Sequence, residues 1–220
     1  MMRKPRNGFT SLKSERVSFK MVLPVFILLL SLLFNNNLFA KERKQEMGIV
    51  LVAVGEIDGN AMDRLKNDLS KVFNKQVLVG KGMPDPDYAY HKKRNQYLST
   101  AILNAIMEQK EYAPYEKILG MVDHDLYVPE LNFVFGEASR KAAVISVTRL
   151  RQIFYHLPED QGLFHQRVLT EAVHELGHTF GLGHCENPRC VMFFSNRLMD
   201  TDRKGSEFCK KCKNLLHPSH

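Results

Sequence analysis

The stretch Val173–Cys185, VHELGHTFGLGHC, gathers three histidines and a glutamate in one short window, in the pattern H-E-x-x-H-x-x-G-x-x-H. On a helix, His174 and His178 are four apart, so both rings leave the same face. Two neutral imidazoles at that spacing can share one zinc ion. Gly181 has no Cβ, can take a left-handed conformation and would stop the helix with a sharp turn. That turn would bring His184 back as a third ligand. Three protein ligands leave a fourth position open to water, the arrangement of a catalytic rather than a structural zinc. Glu175 directly follows the first ligand. Its carboxylate can take a proton from the metal-activated water as it attacks a peptide carbonyl, then pass it to the leaving amine. The plainer readings are incidental histidines on a helix, or a non-catalytic zinc site of the same shape. The added glycine and third histidine argue against the first, and the intact Glu175 against the second.

A second set follows at once. Cys185, Cys190, Cys209 and Cys212 form C-x4-C and C-x2-C pairs. Short ligand pairs brought together across a loop suit a tetrahedral structural zinc. Outside the cytosol the same four could form two disulfides. A redox role for Cys209–Cys212 and a thiolate from Cys185 on the catalytic zinc are further readings. The residues alone leave these open.

The elements that must hold these groups can be read from periodicity. Gly48–Gly55, Gln76–Val79 and Lys117–Val122 read as buried strands, and Ala142–Leu150 as a β-branched one. Asn132–Phe135 is a further short candidate. Apolar spacing predicts helices over Asn60–Asn74, Arg94–Lys110 and Gln166–Phe180, the last carrying the histidines on a stripe of Leu169, Ala172, Val173, Leu176 and Phe180. Lys81–Asp87, with two prolines, reads as a loop. Strands alternating with helices imply an α/β (α+β) layer with a mostly parallel sheet. The irregular, Cys-containing tail reads as a small stapled subdomain over residues 184–215. A single domain, residues 41–220, is expected.

The net charge is +7, but Arg3, Lys4, Arg6, Lys13, Arg16 and Lys20 against Glu15 put five of those seven charges in the first forty residues. The two that remain do not suit a nucleic-acid partner. Lys204, Lys210, Lys211 and Lys213 read as a solvated face. The basic leader, the apolar run Met21–Phe34 and the small Ala40 have the order of a secretory signal over residues 1–40, with an uncleaved anchor as the alternative. Both predict export across a membrane, with membrane contact only through that segment. Only Lys41–Met47 separates the expected cut from the first strand, so a latency-conferring pro-segment is not expected. His91, His124, His156, His165, His217 and His220 have no ligand spacing and read as surface or hydrogen-bonded residues. Asp123 and Asp125, flanking His124, read as turn or capping residues, with a place lining the cleft as the alternative. Glu171, one turn before His174, is either a partner to the site or solvated.

The extended histidine motif is that of metzincins. Cysteine directly after the third histidine, C-x4-C-x-M with Met192, the later C-x-x-C, and VDHDLYVPELNFVFGEA over Val122–Ala138 make the chain resemble the archaemetzincins. The resemblance covers most of residues 48–212. It implies a metzincin-like fold with a twisted mixed sheet and an antiparallel edge strand above the cleft. Ala142–Ser146 would be that edge, able to pair with an extended peptide. It also implies a second, structural zinc on the four cysteines, giving two zinc ions per chain, and Met192 as a Met-turn residue packed beneath the ligands. The expected activity is zinc-dependent hydrolysis of peptides or small proteins by a monomer. The competing reading is a metal-binding or interaction protein of the same fold with little proteolysis.

Overall fold

The computed structural model describes residues 47–216. The expected leader (1–40), its cut at Ala40, and His217 and His220 lie outside the described residues. Five strands form the main sheet, in the order β2 (Val77–Val79), β1 (Met47–Val54), β5 (Tyr115–Val122), β8 (Ala142–Ser146) and β7 (Gly136–Ala138). The first four run parallel, and β7 closes the edge antiparallel to β8. A second small sheet joins β3 (Tyr90–His91), β4 (Gln96–Leu98) and β6 (Leu126–Tyr127).

Strands buried on both faces read as unbroken apolar runs, and β1 shows why. Ile49 and Leu51 face one core with α1 (Gly59–Phe73) and α3 (Gln161–Thr179). Val50, Val52 and Val54 face the other, under α2 (Ser99–Glu108). The α1 N-terminus is capped by Asp58, whose side chain accepts from the Asn60 amide, and its C-terminus by Asn74 at φ 49°. In α3 the Asp160 carboxylate accepts from the Leu163 amide at 2.9 Å. That cap starts the helix five residues before the expected Gln166.

Four expectations need correction. Ala142–Ser146 is not the edge. All five of its residues are buried, between β5 and β7, and the edge is Gly136–Ala138. Asn132–Phe135 is a loop rather than a strand, with an isolated bridge from Val134 to Leu126. Helix α2 begins at Ser99 rather than Arg94. Arg94 donates to the Leu131 and Asn132 carbonyls and Gln96 to Asn132 and Asp125, long-range bonds that hold this stretch extended. At the helix start Ser99 and Thr100 donate to the Glu137 carboxylate on β7. Strand β8 stops at Ser146, and Thr148–Leu150 forms a 3-10 turn. The tail is less irregular than its composition suggests, with α4 (Leu198–Lys204) and α5 (Lys210–Leu216).

Candidate active site

Helix α3 passes across the sheet with Ala172, Val173 and Leu176 buried and Leu169 and Phe180 partly buried beside them. The opposite face carries His174 and His178. Gly181, at φ +88°, ends the helix. The Leu182 amide donates to Gly177 and the Gly181 amide to His178, the paired bonds of a Schellman turn. The chain then doubles back and sets His184 beside the other two rings. Centroid separations are 4.7 Å for His174–His178, 4.8 Å for His178–His184 and 5.4 Å for His174–His184.

The hydrogen bonds fix which nitrogen faces the centre. His174 Nδ1 lies 2.7 Å from the Val191 carbonyl and His178 Nδ1 2.8 Å from that of Leu182. A carbonyl only accepts, so each Nδ1 carries the proton and each Nε2 presents a lone pair. Those two Nε2 atoms are 3.1 Å apart. Two lone pairs so placed repel unless a cation lies between them. A tetrahedral zinc with Zn–N bonds of 2.0–2.1 Å holds its nitrogens ~3.3 Å apart, so the pair fits that ion. The candidate ligand atoms of all three histidines lie within 4.8 Å of one another. Burial, followed by the Lys204 charge, holds His174 well below the usual imidazole range. Burial likewise lowers His178, and lowers His184 together with the His178 charge. All three are thus neutral donors at neutral pH.

Glu175 is buried beside this centre. Burial, and after it the Glu171 charge, pushes its carboxyl up to about 8. Gly136 on the edge strand leaves the space it occupies: a Cβ there would meet Glu175 Cγ at 2.6 Å. Between the Asn132–Gly136 segment and Phe194–Asn196 opens a cleft of about 220 Å³, with His174 and Glu175 on its floor. The Ser195 hydroxyl, on the cleft wall, is buried with no hydrogen-bond partner among the described residues.

Beneath the histidines, Met192 is fully buried. A Cβ on Gly177 would lie 2.5 Å from its sulfur, so the methionine packs directly under the helix. The four cysteines form a separate cluster, their sulfurs within 4.8 Å of one another. Cys185 and Cys209 sulfurs are 3.8 Å apart. That matches the ~3.8 Å tetrahedral edge of a zinc with Zn–S bonds of 2.3 Å. A hydrogen bond from the Cys212 backbone draws the Cys209 thiol down to about 7, while burial pushes Cys190 and Cys212 up.

One lysine is not where composition put it. Lys204, expected on a solvated face, is buried, with Nζ 3.2 Å from Glu171 and 3.3 Å from His174 Nδ1. Since the Nδ1 proton is taken by Val191, the second contact is a close approach of charge rather than a hydrogen bond. Glu171 also accepts from Thr201 at 2.8 Å, so it is part of the site and not solvated. Nothing in the local sequence around Lys204 signals this. Gly136, Gly177 and Ser195 were also unmarked, although a glycine inside H-E-L-G-H hints at a close approach. Asp123 and Asp125 do not reach the centre. They pair with Arg151 and Arg149. His124 and His165 bond Asp85 and Asp68.

Comparison with known proteins identifies the family. Residues 45–218 match the model of peptidase family M54. An archaemetzincin from Methanocaldococcus jannaschii is 42% identical, over 77% of this chain and 93% of its own length. The crystal structure of an archaemetzincin from Methanopyrus kandleri aligns with a TM-score of 0.69 at 41% identity, covering 79% of this chain and 95% of that one. A zinc-dependent peptidase from Methanocorpusculum labreanum gives 0.71 at 31%, over 77% of this chain and all of its own. With its histidine centre set on the fold these proteins share, the chain belongs to peptidase family M54, the archaemetzincins, and is a zinc metallopeptidase.

Proposed function

We propose that His174, His178 and His184 hold the catalytic zinc and that Glu175 is the general base for peptide-bond hydrolysis. The observation that carries this is the pair of proton-free Nε2 atoms 3.1 Å apart beside a buried carboxyl. When bound, zinc supplies Lewis-acid polarisation of the scissile carbonyl and of the attacking water. The chain supplies the rest. The Val191 and Leu182 carbonyls lock the imidazole tautomers. With the zinc charge beside it holding its carboxyl ionised, Glu175 would take the water proton at its carboxylate and return it to the leaving nitrogen. The outer edge of β7, last in the sheet, would offer backbone groups to an extended peptide lying across the cleft as a further strand. Met192 supports the ligand helix through Gly177.

We also assign a structural zinc to Cys185, Cys190, Cys209 and Cys212, giving two ions per chain. The 3.8 Å sulfur separation supports this over disulfides. The substrate class is peptides or small proteins, acted on by a monomer. The basic leader and the apolar run before residue 47 support export, to a periplasmic or extracellular location.

Elemental analysis of the purified chain, compared with His174→Ala/His178→Ala, tests the metal assignment. Two zinc ions falling to one supports both centres. One falling to none removes the cysteine centre, and zinc unchanged by the double substitution removes the histidine centre. Glu175→Gln tests the base. It should keep both ions and lose hydrolysis by several orders of magnitude, and retained hydrolysis would exclude Glu175 from that role.

A further inference from the structure

A second groove lies beside the cleft, of about 470 Å³, between the Gln152–Leu157 stretch and the first turn of α4. That volume is within the range of pockets that take small organic groups. Its walls include Tyr155, Leu157 and Met199, which are 38%, 53% and 75% exposed. Apolar side chains left in water together, and rimmed by polar groups, mark a surface that something covers.

Two features say what covers it. The first is continuity with the catalytic cleft: Phe133 lines both cavities and is the wall between them. Whatever occupies the groove is therefore within reach of a peptide held over His174 and Glu175. The second is charge. Three arginines, Arg149, Arg167 and Arg197, line the groove, and the first two are already neutralised. Arg167 is held by both oxygens of Asp202, at 2.7 and 2.8 Å. Arg149 is held by both oxygens of Asp125, and its guanidinium stacks on Phe133 at 4.2 Å and Phe154 at 4.8 Å. These ion pairs leave those two guanidinium groups committed. Between them the cavity presents flat aromatic and aliphatic surface from Phe133, Tyr155, Leu157 and Met199, which matches an apolar side chain.

We propose that this groove is a specificity subsite that takes one bulky apolar side chain of the peptide substrate, aromatic, leucine or methionine, a short distance along the chain from the bond cleaved. The proposal rests on the peptidase reading above and names its substrate preference. The subsite is separate from the space over the metal centre. Phe133 sets the spacing between the two, and so sets which residue of the substrate is read. Filling or emptying such a pocket is worth roughly 10–200-fold in selectivity per well-placed group.

The test uses short serine/glycine-based peptides in which a single Phe is moved residue by residue, together with the all-Ser/Gly parent. Binding is measured by fluorescence anisotropy to the full chain carrying Glu175→Gln, and cleavage is measured with the wild-type enzyme. Phe at one register should tighten binding about 10-fold or more over the parent. Adding Leu157→Asp and Met199→Asp should bring that ratio close to one. Both positions are exposed, and unchanged zinc content and unfolding temperature verify the fold. Equal binding of all peptides, or a Phe preference that survives the two aspartates, overturns the subsite. A Phe preference in binding without cleavage by wild type would instead sink the catalytic reading and leave the subsite standing. Cleavage without any Phe preference would do the reverse.

Discussion

Lys204 Nζ stands 3.2 Å from the Glu171 carboxylate, with the two side chains 0% and 3% exposed. The pair ties α4, which follows the Met192 segment, to the helix that carries His174. Removing one partner of a buried pair strands the other charge, at a cost of about 3–5 kcal/mol. Lys204→Met and Glu171→Met should each lower unfolding free energy by roughly that amount. The double substitution should recover most of the loss. Denaturant titration of the four proteins forms the cycle, and additive single losses would contradict the coupling.

Ser195 invites a separation of stability from activity. Its hydroxyl is buried and unpaired on the cleft wall, an arrangement that costs about 1–3 kcal/mol in a folded protein. Such a group gains if substrate completes its hydrogen bond. Ser195→Ala should therefore leave stability unchanged or raise it slightly, while kcat/KM falls by about 10-fold. Loss of stability with full activity would show the hydroxyl to be structural.

Two glycines define how tightly the site is built. Gly136→Ala would push a methyl group against the Glu175 side chain and the Val144 carbonyl. A displacement near 1 Å at a catalytic group can cost on the order of 100-fold in rate. Activity should fall that far with the zinc content intact. Gly177→Ala drives into Met192 from above. It should cost about 1–3 kcal/mol in overpacking and lower zinc occupancy, readable by elemental analysis after mild dialysis.

Tyr112 gives a pH signature remote from the metal. Its hydroxyl donates to the Lys81 carbonyl at 2.6 Å, and burial, with the Glu111 charge, pushes its phenol up to about 12. The neutral form is favoured in the fold. Its contribution is fully present below pH ~10, where the unfolded phenol titrates, and is lost as pH climbs towards 12. Wild type should lose stability across that window, and Tyr112→Phe should lose less. Alkaline titration of unfolding, with phenolate absorbance in parallel, measures both.

Chemistry was more legible in the sequence than architecture. His174, His178 and His184 are fixed by helical period and one glycine turn, both local properties of consecutive residues, and the structure brings them together. The four cysteines are legible as two short pairs, C-x4-C and C-x2-C, although their meeting is a long-range event across the loop between Cys190 and Cys209. The position of the sheet edge was not local. Ala142–Ser146 looks much like any apolar strand, and only the pairing of Gly136–Ala138 on its outer side buries it. Arg94–Leu98 has good helical spacing, but its polar side chains find partners some thirty or more residues away. Lys204 is the sharpest case. Its burial depends on Glu171, a residue on another helix, and composition suggests only a solvated charge.

His184 and Cys185 are neighbours in the chain yet belong to different clusters, one imidazole and one thiol on either side of a single peptide bond. Ordering either residue restricts the backbone of the other. On the two-ion reading, any effect that occupancy of one centre has on affinity at the other is the same in both directions.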